Sequence, residues 1–309
     1  MSDITINSKI ENKAFMVREI QKKVGQNTKE YYSLSITRGL RTYDAKIWSD
    51  DERYSVIKSG DIVEVTGQVK DFKGNIQIHI GSIKVIKEPA SEILSQLTPC
   101  CAISKEKLQE ELNEIVNSIE EPFILKLIDK MFSIEEIKDG YFKRSAGAEI
   151  HHAYVRGLAE HSIEVAKNTI AFCNSRYNIK RDLAVFMALF HDIGKIYELS
   201  DFPENKYTDM GKLFGHISMG AHIVQRAIST IEGFPRDMEI DIVHGILAHH
   251  GHKDMGSPVV PMTIEAIAVH NADKASAEIN AFYLAVQRDN TDSNWTEYNN
   301  IYKRSIKKS

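Results

Sequence analysis

His161, His191, Asp192, His216, His249 and Asp273 are imidazoles and carboxylates, and each stands in a mostly apolar stretch of the chain. Eleven of the 12 histidines fall between His151 and His270, so the chemistry is concentrated in one part of the sequence. A single buried histidine is more often a core imidazole bonded to a carbonyl than a ligand. Asp192 is harder to accommodate. In "ALFHDIGKI" a carboxylate sits among apolar residues, and leaving it ionised and unpaired there costs several kcal/mol. Donors brought by five helical stretches toward one core are most simply explained by a metal centre of the kind built in helical bundles. Mixed nitrogen and oxygen ligation suits Mn, Fe, Co, Zn or Ni rather than Ca or Mg alone.

The elements that must position these donors are helical. Apolar spacing predicts helices over 158–174, 181–197, 216–231, 237–250 and 262–288, each carrying its donor at or near one end. Upstream, "SKEKLQEELNEIVNSI" and "EPFILKLIDKMF" also read as helices, with Ser104 an N-cap and Pro122 near a helix start. Residues 14–88 follow a different period. "AFMVREI", "YYSLSIT", "YDAKIW", "DIVEVTGQV", "NIQIHI" and "IKVI" alternate apolar and polar, "DFKGN" reads as a hairpin turn, and "SDDERYSVIKSGD" interrupts the run. Five or so short antiparallel strands suggest a small closed barrel of the OB type, with an SH3-like barrel or a small sandwich as alternatives. The expected architecture is multidomain α+β: a barrel over 1–88, a helical linker over 89–140, and an all-α bundle over 141–309 with a basic tail, "IYKRSIKKS".

Composition bounds the function classes. The 309 residues carry a net charge of −4, and no stretch is apolar for long enough to span a membrane. "MSDITINSKIENK" lacks the apolar core of a signal peptide, so a cytoplasmic location is expected. Cys100, Cys101 and Cys173 form neither a disulfide framework nor a CxxC knuckle. Residues 1–88 hold 15 Lys/Arg against 12 Asp/Glu, leaving 24 against 31 for the remainder. A mildly basic front and an acidic body suit polyanion capture in one part and cation binding in the other.

The ordered set His161, His191-Asp192, His216, His249 and Asp273 resembles that of the HD-domain metal-dependent phosphohydrolases, whose fold is a helical bundle. The series "HHAYVRGLAEH", "LFHDIGKIYELS", "GKLFGHIS", "HHGHKDMGSPVVP" and "EAIAVHNADKASA" is similar to that of the YhaM-type 3′→5′ exoribonucleases, which carry an OB-fold before the HD domain. The resemblance covers nearly the whole chain. It implies hydrolysis of single-stranded RNA from the 3′ end, with single-stranded DNA as a second substrate, using two divalent ions. Mn2+ is the expected ion, with Co2+, Fe2+, Ni2+ and Zn2+ as alternatives. His161, His191, Asp192 and Asp273 would hold one ion; Asp192, His216 and His249, with His250 as an additional ligand, would hold the other. Two ions sharing a carboxylate and a water can generate hydroxide near neutral pH for in-line attack on a phosphodiester.

Lys195 follows His191 by four residues, which on a continuous helix places it one turn on along the same face, within reach of a scissile phosphate. Gly194 would allow close helix packing or approach of the substrate. His151, His152 and His252 are expected along the substrate path, and His270 in the core or behind the ligands. In the barrel, Trp48, Tyr43 and Phe72 are candidate stacking rings, with Lys46, Arg38, Arg41 and Lys73 for phosphates. Two other functions compete. One is an HD phosphodiesterase for a small cyclic nucleotide, although Gly256-Ser257-Pro258 stands where HD-GYP enzymes carry Gly-Tyr-Pro. The other is a non-catalytic single-strand-binding protein. A homo-oligomer is compatible with all three.

Overall fold

The computed structural model describes residues 4–25, 28–72, 75–148, 150–174, 177–202, 204–289, 291, 293–299 and 301–308. Five strands, β1 (Lys9–Val24), β2 (Glu30–Arg38), β3 (Arg41–Ile47), β4 (Ile62–Phe72) and β5 (Asn75–Val85), close into a barrel in the order β1-β2-β3-β5-β4. Alternation accounts for its inside and outside. Along β2, Tyr32, Leu34 and Ile36 are buried, whereas Tyr31, Ser33 and Ser35 are only half-buried on the other face. β1 is long enough to serve two partners: Lys9–Met16 pairs with β4 and Met16–Val24 with β2, and register shifts at Ile10/Lys13 and Val17/Glu19 bend it round. A short parallel pairing, from Asp44 opposite Gln77 to Lys46 opposite His79, closes the circuit between β3 and β5. This is the OB arrangement of the three that the strand pattern allowed. The interruption after β3 holds a 3-10 turn at Glu52–Val56, and "NIQIHI" and "IKVI" are one continuous strand.

After α1 (Ser91–Leu97), the chain continues as α2 (Lys105–Asn117), α3 (Pro122–Phe132), α4 (Glu135–Tyr141), α5 (Gly157–Cys173), α6 (Arg181–Phe190), α7 (Lys195–Glu198), α8 (Asp209–Ile228), α9 (Arg236–Ala248) and α10 (Ile264–Arg288). Ser104 caps α2 by accepting from Lys107 N–H at 3.2 Å, and Pro122 opens α3, both as expected. The centre of the bundle is α6. Leu183 through Phe190 are all buried, which marks a core helix apolar on every side, and α3, α5 and α9 pack around it. Among the described residues no helix is long and apolar enough to cross a membrane.

The helix expected over 181–197 is broken. α6 ends at Phe190, and residues 191–194 make tighter turns, with Ile193 N–H donating to Phe190 O at 3.2 Å and Lys195 N–H to Asp192 O at 2.9 Å. Gly194 is the reason such a turn fits: a Cβ there would lie 2.0 Å from the His216 carbonyl oxygen. α8 is broken in turn at Gly215, whose φ of 69° and ψ of 153° are non-helical, so a separate helical run starts at His216.

The compact units also differ from the domain limits expected at 88 and 140. One unit is Met1–Pro99 with Phe282–Ser309, and the other is Cys100–Ala281. In the first, Leu97 of α1 packs with Ala14 and Ile62 of the barrel, Arg41 Nε donates to Gln287 O at 3.2 Å, and Asn75 bonds Glu297. The connector start and the basic tail therefore belong with the barrel. Replacing Gly194 by alanine is expected to force the 191–194 turn off the His216 carbonyl and to cost about 1–3 kcal/mol. A urea-unfolding midpoint equal to wild type would show that the close approach is dispensable.

Candidate functional site

The breaks in α6 and α8 bring the predicted donors together. His161 comes from α5, His191 and Asp192 from the turn after α6, His216 from the kink in α8, His249 from the end of α9 and Asp273 from α10. They form two groups. His161, His191 and Asp273 make one, and Asp192, His216, His249 and His250 make the other, with the donor atoms of each group within 4.8 Å of one another. Asp192 lies between them. Its Oδ2 is 3.4 Å from the Nε2 atoms of His161 and His191, and its Oδ1 is 3.4 Å from His216 Nε2 and 3.6 Å from His249 Nε2. Asp273 Oδ1 faces the first pair, 3.1 Å from His161 Nε2 and 3.7 Å from His191 Nε2.

The far nitrogen of each ring shows what the near one offers. Nδ1 lies 2.8 Å from Ala188 O in His191, 2.6 Å from Ile246 O in His249 and 2.9 Å from Glu198 Oε1 in His216. These oxygens only accept, so Nδ1 carries a proton, and in the neutral ring Nε2 presents its lone pair. His161 Nδ1 lies 3.1 Å from Ser276 Oγ, which donates to Glu164 at 2.7 Å, giving the same tautomer. Lone pairs of four imidazoles thus face two carboxylates, an arrangement that is self-repelling unless a cation lies between them. Asp192 Oδ1, His216 Nε2 and His249 Nε2 are buried and make no hydrogen bond. Donors held about 2.1 Å from one ion lie roughly 3 Å apart, so the spacing and chemistry of these residues fit transition-metal ions.

The electrostatics point the same way. Burial would raise the Asp192 carboxyl, but Lys195 and His191 outweigh it and hold it well below the usual range. Burial would likewise raise Asp273, which the neighbouring rings of His161, His191 and His249 keep low. Burial pushes His161 down to about 4 and lowers His249 and His250, favouring the neutral, ligating form. At His191 burial is outweighed by Asp192 and Asp273, and the pKa rises. The carboxylates that favour a proton there equally favour a metal cation.

Lys195 is placed differently from the expectation. The residue is only 6% exposed; its ammonium lies 2.7 Å from Asp192 Oδ2 and also donates to Ala146 O. Because the 191–194 turn tightens the chain, it reaches back to Asp192, three residues earlier, and holds that carboxylate in place. His152 is not on a substrate path either: it is fully buried behind His161, at a ring distance of 4.9 Å and a φ of 44°. His151 is half-buried with its ring 5.8 Å from His161, and burial takes its pKa down to about 3. His252 is exposed, and its ring lies 6.1 Å from that of His270, whose Nδ1 is 2.7 Å from His249 O. Glu198, Ser276 and Glu164 were not foreseen, because their partners are distant in sequence and no spacing announces them.

On the barrel, Trp48 and Phe72 are exposed, and the ammonium of Lys46 lies 5.3 Å from the Trp48 ring and 5.0 Å from that of Phe72. Tyr31 joins them, 5.0 Å from Trp48 and 5.3 Å from the same ammonium, and His79 lies 6.0 Å from Trp48. Tyr31 was legible in principle, since a Tyr-Tyr doublet in a strand sends one ring to each face. Of the other candidates, three are engaged within the fold. Tyr43 is buried edge-on to Phe15 in the core, because its register faces inward. Arg38 donates to Ala14 O at 2.9 Å and to Gln96, and Arg41 to Gln287 O, so both serve the fold of this unit. Lys73 lies outside the described residues.

The helical fold and the donor set are those expected of an HD domain, and residues 158–278, which contain all six expected ligands, match the family model described as HD domain. Over a longer span the chain is similar to the 3′-5′ exoribonuclease YhaM of Geobacillus sp. (strain WCH70), 27% identical over 274 residues, covering 88% of this chain and 84% of that one. The YhaM protein of Shouchella clausii (strain KSM-K16) is 27% identical over 276 residues, covering 88% and 85%. These matches bear out the resemblance carried by the motifs: the chain is an enzyme with an HD domain over residues 158–278, and it is similar over most of its length to the YhaM-type exoribonucleases. A solved structure, the second OB-fold domain of replication protein A from Methanococcus maripaludis, aligns at 18% identity over 28% of this chain and 90% of that one. Its TM-score of 0.22 adds nothing to the barrel topology already described.

If the clustered donors bind cations, Mn2+ will raise the melting temperature of EDTA-treated protein, and Asp192→Asn will abolish the shift. An equal Mn2+ shift in wild type and variant would place the binding elsewhere.

Proposed function

We propose that this chain is a metal-dependent 3′→5′ exonuclease of single-stranded RNA, able also to accept single-stranded DNA. The observation that carries the reading is the buried Asp192 carboxylate, with one oxygen turned to each group of histidines. The activity and its polarity follow the named relatives, which match both the barrel and the HD portion of the chain. We take the protein to act in the cytoplasm, with manganese as the first ion to test.

When bound, a pair of divalent ions supplies Lewis-acid charge and a water of lowered pKa, the usual chemistry of two-metal phosphodiester hydrolysis. His161, His191 and Asp273 would hold one ion, and His216, His249 and His250 the other, with Asp192 shared. The chain's own residues do the positioning. Lys195 fixes Asp192 against the Ala146 carbonyl, so the shared carboxylate does not rotate away from either group. The ring-to-backbone bonds at Ala188 and Ile246 aim two imidazoles without using any flexible side chain. On the barrel, an ammonium ringed by Tyr31, Trp48 and Phe72 suits a strand whose bases stack while its phosphates are neutralised.

Purified protein with Mn2+ is expected to shorten 5′-labelled single-stranded RNA stepwise, and EDTA or Asp192→Ala to stop it. Turnover of a cyclic dinucleotide but not of RNA would replace this reading with the small-nucleotide phosphodiesterase, and RNA binding without turnover would favour the binding module. Trp48→Ala is expected to weaken RNA binding by about 1–3 kcal/mol in a gel-shift titration. Unchanged affinity would remove the barrel face from the binding surface.

A further inference from the structure

Of the five imidazoles of the centre, the four that face Asp192 are not supported alike. His191 and His249 lean on backbone carbonyls, and His161 on the Ser276 hydroxyl, with Glu164 one step behind. Among the described residues, only the Nδ1 of His216 is bonded directly to a carboxylate. Glu198 Oε1 takes two bonds from it, one from Nδ1 and one from the backbone N–H, both at 2.9 Å. The kink at Gly215 makes the second bond available, since it separates the His216 N–H from the helical turn before it.

Glu198 is itself anchored on the far side of the same kink. Its backbone carbonyl accepts from Thr208 N–H at 2.9 Å, Thr208 Oγ1 donates to the neighbouring Tyr197 O at 2.7 Å, and Gly211 lies so close that a Cβ there would meet Glu198 O at 2.4 Å. The residue therefore spans α8 from its N-cap to the first residue after the break, and its side chain is 8% exposed. A buried carboxylate in that position does more than cap a helix. Bonded to Nδ1–H, it fixes the ring's tautomer and pushes electron density toward Nε2, which faces Asp192 Oδ1.

We propose that Glu198 is a positioning residue selective for one ion: it orients and strengthens His216 as a ligand in the Asp192–His216–His249–His250 group and leaves the His161–His191–Asp273 group unaffected. The inference rests on the two-ion reading above. Glu198→Gln separates the two roles of the side chain, because the amide oxygen can still accept both bonds while the charge is gone.

The test is Mn2+ titration of the full-length, EDTA-treated protein by calorimetry, with the melting temperature in EDTA and the Mn2+ electron paramagnetic resonance spectrum recorded in parallel. Wild type should take up two ions per chain. Glu198→Gln should bind one of them roughly 10- to 100-fold more weakly, keep the other unchanged, and retain the wild-type melting temperature. At one equivalent of Mn2+ its spectrum should be the six-line signal of an isolated ion. Two ions bound alike by wild type and variant would overturn the role of Glu198. So would equal weakening of both ions, or a lowered melting temperature in EDTA, since either makes the residue general scaffolding. Uptake of a single ion by wild type would instead overturn the two-ion reading itself.

Discussion

The structure depends on a carboxylate that cannot remain alone. Asp192 is 1% exposed and is surrounded by the Nε2 atoms of four imidazoles, each 3.4–3.6 Å from one of its oxygens. In a low-dielectric setting such a group needs positive charge within a few ångströms, and Lys195 at 2.7 Å supplies only part of the balance. Everything around it acts to hold that unfavourable arrangement in place. The aromatic and aliphatic side chains of α6 supply the packing energy, and the turn that follows spends some of it on placing charge in the core.

Two departures from regular helix make the centre possible. A continuous helix through 181–197 would separate His191 and Lys195 along one face, whereas the tight turn at 191–194 sets Lys195 against Asp192. That turn needs Gly194, because the His216 carbonyl occupies the space a side chain would take. The break at Gly215 restarts α8 at His216 and lets Glu198 receive its backbone N–H. The turn and the kink meet at one contact, so local backbone geometry on two elements is set by the same packing. Irregularity here is concentrated where the donors are, and the helices that carry no donor, such as α2 and α3, have ordinary caps and lengths.

The barrel shows the other side of the same economy. Its inner face is ordinary: Phe15, Val17, Leu34, Ile36, Val63, Val65 and Ile78 are all at most 3% exposed. Its outer face keeps Trp48 at 53% and Phe72 at 49% exposure around one lysine. Large exposed rings cost solubility, and this cluster of them about a cation is what the proposed strand-binding surface rests on. The arginines expected to join them are instead drawn into bonds with Ala14, Gln96 and Gln287, which tie the strands to α1 and to the C-terminal segment.

The donor cluster was legible from the chain alone, because His161, His191, Asp192, His216, His249 and Asp273 are chemically unusual residues placed in apolar helices, and apolar periodicity suggests that those helices share a core. The strands were legible for a similar local reason: alternation with period two survives without knowledge of partners. What sequence could not determine was anything set by the meeting of distant segments. Which ring of the Tyr31-Tyr32 pair faces outward depends on barrel register, and the inward turn of Tyr43 on the same register. The loss of helix after Phe190, the burial of His152 and the capture of Lys195 by Asp192 follow from contacts with α8 and with Ala146, which no local propensity encodes. The role of Glu198 was equally invisible, since it and His216, 18 positions apart in sequence, lie side by side only once α8 breaks and folds back. Local chemistry and periodicity are properties of the chain, whereas tautomers, close approaches and shared carboxylates are decided by packing.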